Sequence, residues 1–338
     1  MGFITPASIH WIGEPSVVVG VLRFRDRVLP MSRFSFPWFG LPMFPLVALL
    51  AGCVNPMGSA NRRQGTSVKG GYSITRNLVY TPDHWPEPMR GDLYRPKTTA
   101  PAPAVLLIHG GGWTGKDGRW QMSPIAAQLA KRGYVVMNVT YRLAPRWLYP
   151  APVEDLQEAV KWMRGHATEY GIDPDRIATF GYSAGGYLAA FIGLIEGEKN
   201  SRIRAIVTGG APTDLTLYPG GDLVPQFLGG TQKQIPQRFK DASPVNYVTR
   251  NSPPMFIYHG TADRLVPPEH ARVLIRAFEQ NEVRHEVYWI EERDHIPAFF
   301  LPGGSVSAAI DFLDRELRQA ASFTRPPRAS LRRARLPR

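Results

Sequence analysis

Ser183 lies at the centre of FGYSAGG, a segment that fits the pattern G-x-S-x-G through Gly181 and Gly185. The apolar run before it, RIATF, is typical of a buried strand, and the Ala-rich residues after it are typical of a helix. A serine at such a sharp strand-to-helix turn adopts a strained backbone, which tolerates only small residues two positions to either side. The turn would place the hydroxyl at a helix N-terminus, which favours developing negative charge. We therefore predict that Ser183 is a nucleophile, with a chance match in a Gly-rich loop as the alternative.

A base and an acid that could activate this serine follow two later strands. A serine hydroxyl is a useful nucleophile only when a positioned base removes its proton, and that base needs an acid to fix its tautomer. Asp263 ends the strand in FIYHGTADRLVP, and His295 ends the strand in VYWIEERDHIPAFF. The order Ser183, Asp263, His295 along the chain is that of α/β-hydrolase triads. We predict that these three residues form the catalytic triad.

Three other histidines compete with His295 for the role of the base. His259 is too close to Asp263 in sequence to be oriented by it. His270 and His285 fall within a predicted helix and a predicted strand, where an exposed or hydrogen-bonded histidine is the simpler interpretation.

Three other acids compete with Asp263. Asp294 and Glu292 are neighbours of His295, but their side chains would need a backward turn to reach its ring. Asp214 follows an earlier strand and is the stronger rival.

The glycine-rich segment IHGGGWTGKDG, residues 108–118, has two incompatible interpretations. Its glycine and lysine spacing approaches the phosphate-binding loop G-x-x-x-x-G-K-[ST], whereas His109 followed by three glycines begins an oxyanion-hole loop. A phosphate loop needs Ser or Thr after the lysine and a helix beginning there. Asp117 and Gly118 follow instead, which is a turn signal with a negative charge. We favour the oxyanion-hole loop, with Lys116 solvated.

The scaffold that would bring these segments together alternates strands and helices. Most of its strand candidates are continuous apolar runs, as expected for strands buried on both faces. The predicted strands are AVLLIHG, YVVMNVTYR, RIATFGYS, IRAIVTGG, PMFIYHG and HEVYWIEE, preceded by an antiparallel pair, YSITRNLVY and MRGDLYRP. One predicted helix begins with Ser123 as N-cap and Pro124 as its first residue. We predict one α/β domain over residues 71–321, with a mostly parallel sheet of about eight strands flanked by helices.

With these motifs, the chain resembles the α/β-hydrolase fold, and within it the carboxylesterases and lipases related to hormone-sensitive lipase. The shared segments are HGGGW at 109–113, YRLAP at 141–145, DPDRIATFGYSAGG at 173–186, HGTADRLVP at 259–267 and DH at 294–295. The resemblance covers residues 75–320. It implies that the oxyanion hole is formed by the N–H groups of Gly111, Gly112 and Ala184, while His109 shapes the loop.

Two departures from that family point to a compact subgroup. Tyr182 stands where many relatives carry an acid, and Arg146 stands where a glutamate is common after YRLAP. Little sequence precedes the first strand to build an N-terminal cap. The chain therefore resembles BD-FAE-like carboxylesterases and feruloyl-esterase-like relatives, which implies an open site and short acyl groups.

The walls of the substrate pocket are predicted from aromatic residues near the strand ends. Trp113, Tyr182 and Tyr187, with the segment 214–247, would line it, although aromatics at such positions also serve as plain core. The resulting prediction is a serine carboxylic-ester hydrolase that needs no metal and no organic cofactor. The alternatives are a serine peptidase or amidase of the same fold and a non-catalytic envelope binding protein.

A secretion signal is predicted near the N-terminus. MSRFSFPWFGLPMFPLVALLAGC, residues 31–53, has a short basic start, an apolar stretch and small residues before Cys53. LAGC resembles the bacterial lipobox, which implies cleavage, lipidation of Cys53 and anchoring in the cell envelope at the periplasmic face of a membrane. Residues 1–30 would then reflect an upstream start, and 53–70 a tether. An uncleaved apolar anchor is the alternative.

The net charge of +12 does not indicate a nucleic-acid partner, because it is concentrated at the ends of the chain. Residues 322–338 hold six Arg and no acid, and residues 1–52 carry a net charge of +2, which leaves +4 for the rest. The basic, Pro-rich segment 322–338 is predicted to be disordered. We therefore expect a small-molecule ester as partner, a membrane through Cys53, and no nucleic acid.

Overall fold

One nine-stranded sheet runs through the part of the chain described in the computed structural model, residues 65–195, 202–218 and 220–319. Its strands are β1 (Gly65–Lys69), β2 (Tyr72–Val79), β3 (Arg90–Pro96), β4 (Ala102–Ile108), β5 (Val135–Val139), β6 (Ile172–Tyr182), β7 (Ala205–Gly209), β8 (Met255–Gly260) and β9 (His285–Ile290). Their spatial order is β1-β2-β3-β5-β4-β6-β7-β8-β9. The pairs from β1 to β5 are antiparallel, and those from β5 to β9 are parallel. The predicted fold class is confirmed, with one strand more than expected.

The additional strand, β1, corrects the predicted tether. Its sequence, GTSVK, has no apolar run and falls within the segment 53–70. It nevertheless pairs with the whole start of β2, from Gly65 opposite Arg76 to Lys69 opposite Tyr72. Backbone pairing along the open edge of β2 forms this strand, and pairing of that kind leaves little signal in side-chain hydropathy.

Helices cover both faces of the sheet. They are α1 (Arg119–Lys131), α2 (Ala151–Gly165), α3 (Ala167–Tyr170), α4 (Ala184–Leu194), α5 (Leu223–Leu228), α6 (Pro236–Asp241), α7 (Glu269–Gln280), α8 (His295–Phe300) and α9 (Ser305–Asp314). On β4, Leu106 and Ile108 join the apolar cluster of α2, α4 and α7, whereas Val105 and Leu107 join that of α1 and α9. Burial on both faces explains why β4 is apolar throughout.

Helix α1 begins earlier than the sequence predicts. It starts at Arg119, so Pro124 lies inside the helix, and the Ser123 hydroxyl donates to the carbonyl of Arg119 instead of capping. The buried guanidinium of Arg119 binds Asp92 and Asn77, on β3 and β2. These contacts between distant segments fix the start of the helix, and local capping signals do not report them.

The parallel strands bring the predicted site to one edge of the sheet. β4, β6, β8 and β9 run in the same direction and end at Ile108, Tyr182, Gly260 and Ile290. The segments with the predicted functional groups follow these ends. A larger cavity, of about 730 Å³, is lined by other residues, among them Arg204 and Pro254, at or just before the starts of β7 and β8. It contains none of the predicted site residues.

The predicted lipoprotein signal 31–52, Cys53 and the basic segment 322–338 lie outside the described residues. Of the helices in the described ranges, none is long and apolar enough to cross a membrane.

Candidate active site

Ser183 lies in the turn between β6 and α4, with φ 56° and ψ −126°. This left-handed φ is strained for a residue with a side chain. A Cβ at Gly181 would collide with the carbonyl of Gly185, and one at Gly185 would collide with the carbonyl of Ile108. The glycines therefore leave the room that this turn needs, as the sequence pattern indicated.

His295 connects Ser183 to Asp263. Its Nε2 lies 2.8 Å from Ser183 Oγ, and its Nδ1 lies 2.6 Å from Asp263 Oδ2. His295 and Asp263 are both 3% exposed. The structure thus brings the three predicted triad residues together, in a geometry that lets His295 accept the serine proton while Asp263 holds its other ring nitrogen.

The carboxylate of Asp263 is held by its own turn. Its Oδ1 accepts hydrogen bonds from the backbone N–H groups of Leu265 and Val266, at 3.0 and 2.7 Å. His259 Nε2 lies 3.4 Å from Asp263 Oδ2 and donates to the carbonyl of Val266 at 2.8 Å. Burial by itself raises the pKa of Asp263, but the hydrogen bonds from His259 and His295 outweigh it, and the pKa lies below its ordinary value. From the sequence, His259 was predicted to lie too close to Asp263 along the chain to be oriented by it, yet the two side chains are in contact.

The rival acids have other partners. Asp294 accepts hydrogen bonds from the backbone and guanidinium of Arg264, and from the backbone N–H of His295. These hydrogen bonds lower the pKa of Asp294 to about 2. Asp214 accepts from the N–H and hydroxyl of Thr216. Within the part of the chain that the structure describes, Asp263 is the carboxylate that contacts the His295 ring.

The loop after β4 presents backbone N–H groups beside Ser183. Gly111, Gly112 and Trp113 all have positive φ, at 109°, 62° and 60°. Among the described residues, the N–H groups of Gly111 and Gly112 donate to no acceptor within the protein. Ala184 is the first residue of α4, and its N–H has no intrahelical acceptor. Together with Ser183 these residues border one cavity.

His109 is part of the support of this loop. It is fully buried, its Nδ1 lies 2.7 Å from the carbonyl of Gly110, and its ring stacks on Tyr141 at 4.6 Å. Burial lowers its pKa, so the neutral ring is favoured. Lys116 is exposed. The neighbouring Asp117 accepts hydrogen bonds from Arg119, which gives this carboxylate a structural partner in the protein.

A mostly apolar cavity of about 300 Å³ opens at Ser183. Its lining residues are Gly110, Gly111, Gly112, Trp113, Trp120, Gln121, Tyr182, Ser183, Ala184, Pro212, Tyr218, Leu223, Leu265, Val266, His295, Ile296, Phe299 and Phe300. No Asp, Glu, Lys or Arg is among these described residues. The cavity therefore favours an uncharged, largely apolar substrate.

The aromatic residues predicted to line the pocket divide into two groups. Trp113 and Tyr182 line it, and the Tyr182 hydroxyl donates to the carbonyl of His295 at 2.8 Å. The prediction for Tyr187 is wrong, because this residue lies in the core behind Trp113, ring edge to face, and its hydroxyl donates to Ala242. It points inward because it lies on the buried first turn of α4.

Several lining residues were missed by the sequence analysis. Trp120, Leu265, Ile296 and Phe300 lie on or next to segments that carry predicted functional residues. The segment 214–247 contributes Tyr218 and Leu223. The apolar residues that follow His295, in IPAFF, were the available signal.

The described residues contain no group of three or more His, Cys, Asp and Glu side chains that could hold a metal ion.

Comparison with known proteins finds esterases among the relatives of this chain. The BD-FAE family model matches residues 91–278, which is more than half of the chain. Esterase LipC of Mycobacterium tuberculosis is 31% identical over 216 residues, covering 57% of this chain and 53% of its own length. The chain spans about half the length of the curated relatives it matches.

Solved structures agree with this fold. An esterase from the Planctomycetes species Thermogutta terrifontis has 28% identity and a TM-score of 0.60, covering 71% of this chain and 91% of its own. Structures of that esterase contain bound butyrate and propionate. A truncated carbohydrate esterase from gut microbiota reaches a TM-score of 0.67 over 75% of this chain and 99% of its own, at 23% identity. At that identity the likeness concerns the fold alone.

Proposed function

Since the chain belongs to the BD-FAE family, we propose that it is a serine carboxylic-ester hydrolase with Ser183, His295 and Asp263 as its catalytic triad. The observation that carries the proposal is the continuous contact from Asp263 through His295 to Ser183, at 2.6 and 2.8 Å, at the opening of an apolar cavity. Esterases among its relatives and structural neighbours support the same reaction class.

In the proposed reaction, His295 takes the proton of Ser183 as Oγ attacks the ester carbonyl carbon. The bond between that carbon and the alcohol oxygen then breaks, and His295 gives its proton to the leaving alcohol. Water attacks the acyl-serine with His295 again as base, which releases the acid and restores Ser183. The charge on Asp263 stabilises the imidazolium in both steps.

The N–H groups of Gly111, Gly112 and Ala184 are proposed to hold the oxyanion of the tetrahedral intermediate. Support comes from their position around the same cavity and from the free donors of the loop and the helix end. Each such donor typically changes the rate by about 10² to 10³.

Short acyl groups are the proposed substrates. The cavity of about 300 Å³ is at the small end of the usual range for ligand sites. The related T. terrifontis esterase binds butyrate and propionate. We expect the fastest turnover for acyl chains of about two to six carbons, with the cavity limiting longer chains.

A fluorophosphonate probe tests the triad directly. Wild-type protein should be labelled, Ser183→Ala should not be, and a Ser123→Ala control should be labelled like wild type, since Ser123 lies in α1 outside the cavity. Absence of wild-type labelling would support the alternative of a non-catalytic envelope binding protein. Equal labelling of Ser183→Ala would also contradict the proposal.

A substrate panel tests the bond and the chain length. Aryl esters from acetyl to palmitoyl should be compared with acetylated sugars, feruloyl esters and aminoacyl amides. A preference for palmitoyl esters would refute the short-acyl proposal. Faster cleavage of amides than of esters would support the alternative of a serine peptidase or amidase.

We also propose lipidation of Cys53 and attachment to the bacterial cell envelope, on the LAGC sequence alone. The intact mass of protein isolated from a bacterial envelope should correspond to a chain that starts at a diacylglyceryl-modified Cys53. A chain that starts upstream of Cys53 would refute this part.

A further inference from the structure

The exposed apolar side chains of the described residues are concentrated at the opening of the catalytic cavity. Seven large hydrophobic residues are exposed in this part of the chain: Val79, Trp120, Leu217, Leu265, Ile296, Phe300 and Leu301. Four of them, Trp120, Leu265, Ile296 and Phe300, also line the cavity. We call these four residues the apolar rim. Scattered exposed apolar residues are ordinary, whereas a cluster around a cavity indicates a binding surface.

The rim is assembled from three separate segments. Trp120 is in the first turn of α1, Leu265 follows β8, and Ile296 and Phe300 are on α8. Their exposed fractions are 64%, 44%, 57% and 61%. The tertiary structure therefore creates the cluster, and no single amphipathic helix accounts for it.

The position of His295 indicates which part of an ester meets the rim. His295 must give its proton to the leaving alcohol oxygen, so the alcohol lies next to its ring. His295 is the first residue of α8, the same short helix that carries Ile296 and Phe300. Leu265 donates its N–H to Asp263, directly behind the His295 ring. If the short acyl group occupies the cavity, the alcohol group extends past these rim residues.

We infer that the apolar rim is a subsite for the alcohol part of the ester, and that this enzyme prefers esters of apolar, ring-sized alcohols over esters of sugars. The inference rests on the proposed function. A sugar would bring hydroxyl groups against Leu265, Ile296 and Phe300, and those side chains offer no hydrogen bonds to replace water. An apolar alcohol would instead remove both its own surface and that of the rim from water.

The fold alone does not lead to this preference. A solved protein of the same fold is a carbohydrate esterase. The described lining residues also include no Asp, Glu, Lys or Arg, so the cavity offers no carboxylate, ammonium or guanidinium group to sugar hydroxyls.

The first test compares two acetates of matched shape, cyclohexylmethyl acetate and 6-O-acetylglucose. Both are esters of a primary alcohol on a six-membered ring, and they differ in the polarity of that ring. We expect kcat/KM of the wild-type enzyme to be about 10²-fold higher for cyclohexylmethyl acetate than for 6-O-acetylglucose. Burying the apolar ring contributes the transfer free energy of several CH₂ groups. Equal or faster hydrolysis of 6-O-acetylglucose would overturn the inference.

The second test uses exposed residues with a control next in sequence. Trp120→Ser and Phe300→Ser should each lower the ratio of kcat/KM for cyclohexylmethyl acetate to that for methyl acetate by about tenfold. Leu301→Ser is the control, because Leu301 is 59% exposed, follows Phe300 and does not line the cavity. Its ratio should equal that of wild type. All three residues are more than half exposed, so the substitutions leave the core intact, and circular dichroism checks the fold.

The remaining outcomes separate this inference from the proposed function. A rim variant with an unchanged ratio would overturn the inference. If that variant also bound phosphatidylglycerol vesicles more weakly, the rim would be a membrane contact; if its oligomeric state changed, the rim would be a contact between copies of the chain. A ratio that falls equally in Leu301→Ser would also overturn it. If wild-type protein is not labelled at Ser183 and cleaves no ester, the proposed function itself has failed.

Discussion

The turn after β8 and the loop after β4 both lie at the candidate active site around Ser183, but they are stabilised in different ways. The turn carries the carboxylate of Asp263, and its own N–H groups at Leu265 and Val266 hold that carboxylate. The loop is proposed to supply the N–H groups of Gly111 and Gly112, and its support comes from outside.

The support of the loop is a buried ion network. Arg119 binds Asp117 at the end of the loop with two nitrogens, and it also binds Asp92 on β3 and Asn77 on β2. Asp92 further binds Arg76. A functional side chain can thus be held within a few residues of sequence, whereas functional backbone groups depend on distant segments that fix the path of the chain.

The largest expected effect tests the local arrangement of the turn. Asp263→Asn should lower kcat by about 10⁴-fold, because an amide favours the wrong tautomer of His295. Asp294→Asn is the matched control, since Asp294 binds the backbone of His295 and the exposed Arg264. It should change kcat by less than about fivefold. Steady-state hydrolysis of p-nitrophenyl butyrate measures both, and equal losses would remove the distinction between the two acids.

The next effect tests the remote support of the loop. Arg119→Met leaves the buried carboxylate of Asp92 and the partly buried Asp117 without this guanidinium, and should lower the free energy of unfolding by about 3–5 kcal/mol. Arg132→Met breaks the half-exposed pairs with Asp311 and Asp314. Its cost should be much smaller than that of Arg119→Met, because solvent screens exposed ion pairs. Urea denaturation measures the free energy of unfolding of both variants. Equal losses in the two variants would contradict the prediction that the Arg119 network stabilises the fold.

A smaller effect tests the backbone of the loop. A Cβ at Gly112 would lie 2.9 Å from Leu223 Cδ2, at a φ of +62°, so Gly112→Ala should displace an N–H donor. We expect kcat to fall by about 10²-fold. Gly115→Ala is the control, because Gly115 has a φ of +85° with nothing within 4 Å of its Cβ. If the two variants lose the same activity, strain rather than displacement of a donor explains the loss.

The smallest effect concerns pH and the helix that follows the turn. Burial lowers the pKa of His270, on α7, to about 4, and repulsion from His259 adds to this. Because the unfolded state binds a proton near pH 6.5 and the folded state does not, stability is lost as pH falls from 6.5 towards 4. His270 should account for a loss of about 2 kcal/mol between pH 7 and pH 5.

His270→Gln removes this titration while keeping a polar side chain of similar size. Urea denaturation at pH 7 and pH 5 should show a smaller pH dependence in the variant than in wild type. An unchanged difference between the two pH values would mean that His270 is not its source.

Much of the fold could be predicted because burial on both faces leaves a direct record in the sequence. The strands β4, β5 and β7 are buried at every residue, and each appears as a mostly apolar run. β1 leaves no such record because its backbone pairs with an edge. The start of α1 was also misplaced, since the ion pairs of Arg119 override the local signal at Pro124.

Those residues of the candidate site whose side chains follow the ends of strands could be predicted from the sequence. Ser183, Asp263 and His295 were named from such positions, and the structure brings them within hydrogen-bonding distance. Tyr187 was misassigned, because a pocket aromatic and a core aromatic have the same signature in sequence. The second contact of Asp263, with His259, was not predicted, because closeness in sequence does not show where a side chain points.

The sequence alone determined the alternating α/β architecture and the serine at its strained turn, because hydrophobic periodicity and glycine spacing are local properties. The tertiary structure decided which acid reaches His295, which aromatics line the cavity, and how four exposed apolar residues from three segments surround its opening. These features depend on distances between residues far apart in the chain, and those distances are fixed only when the sheet is assembled.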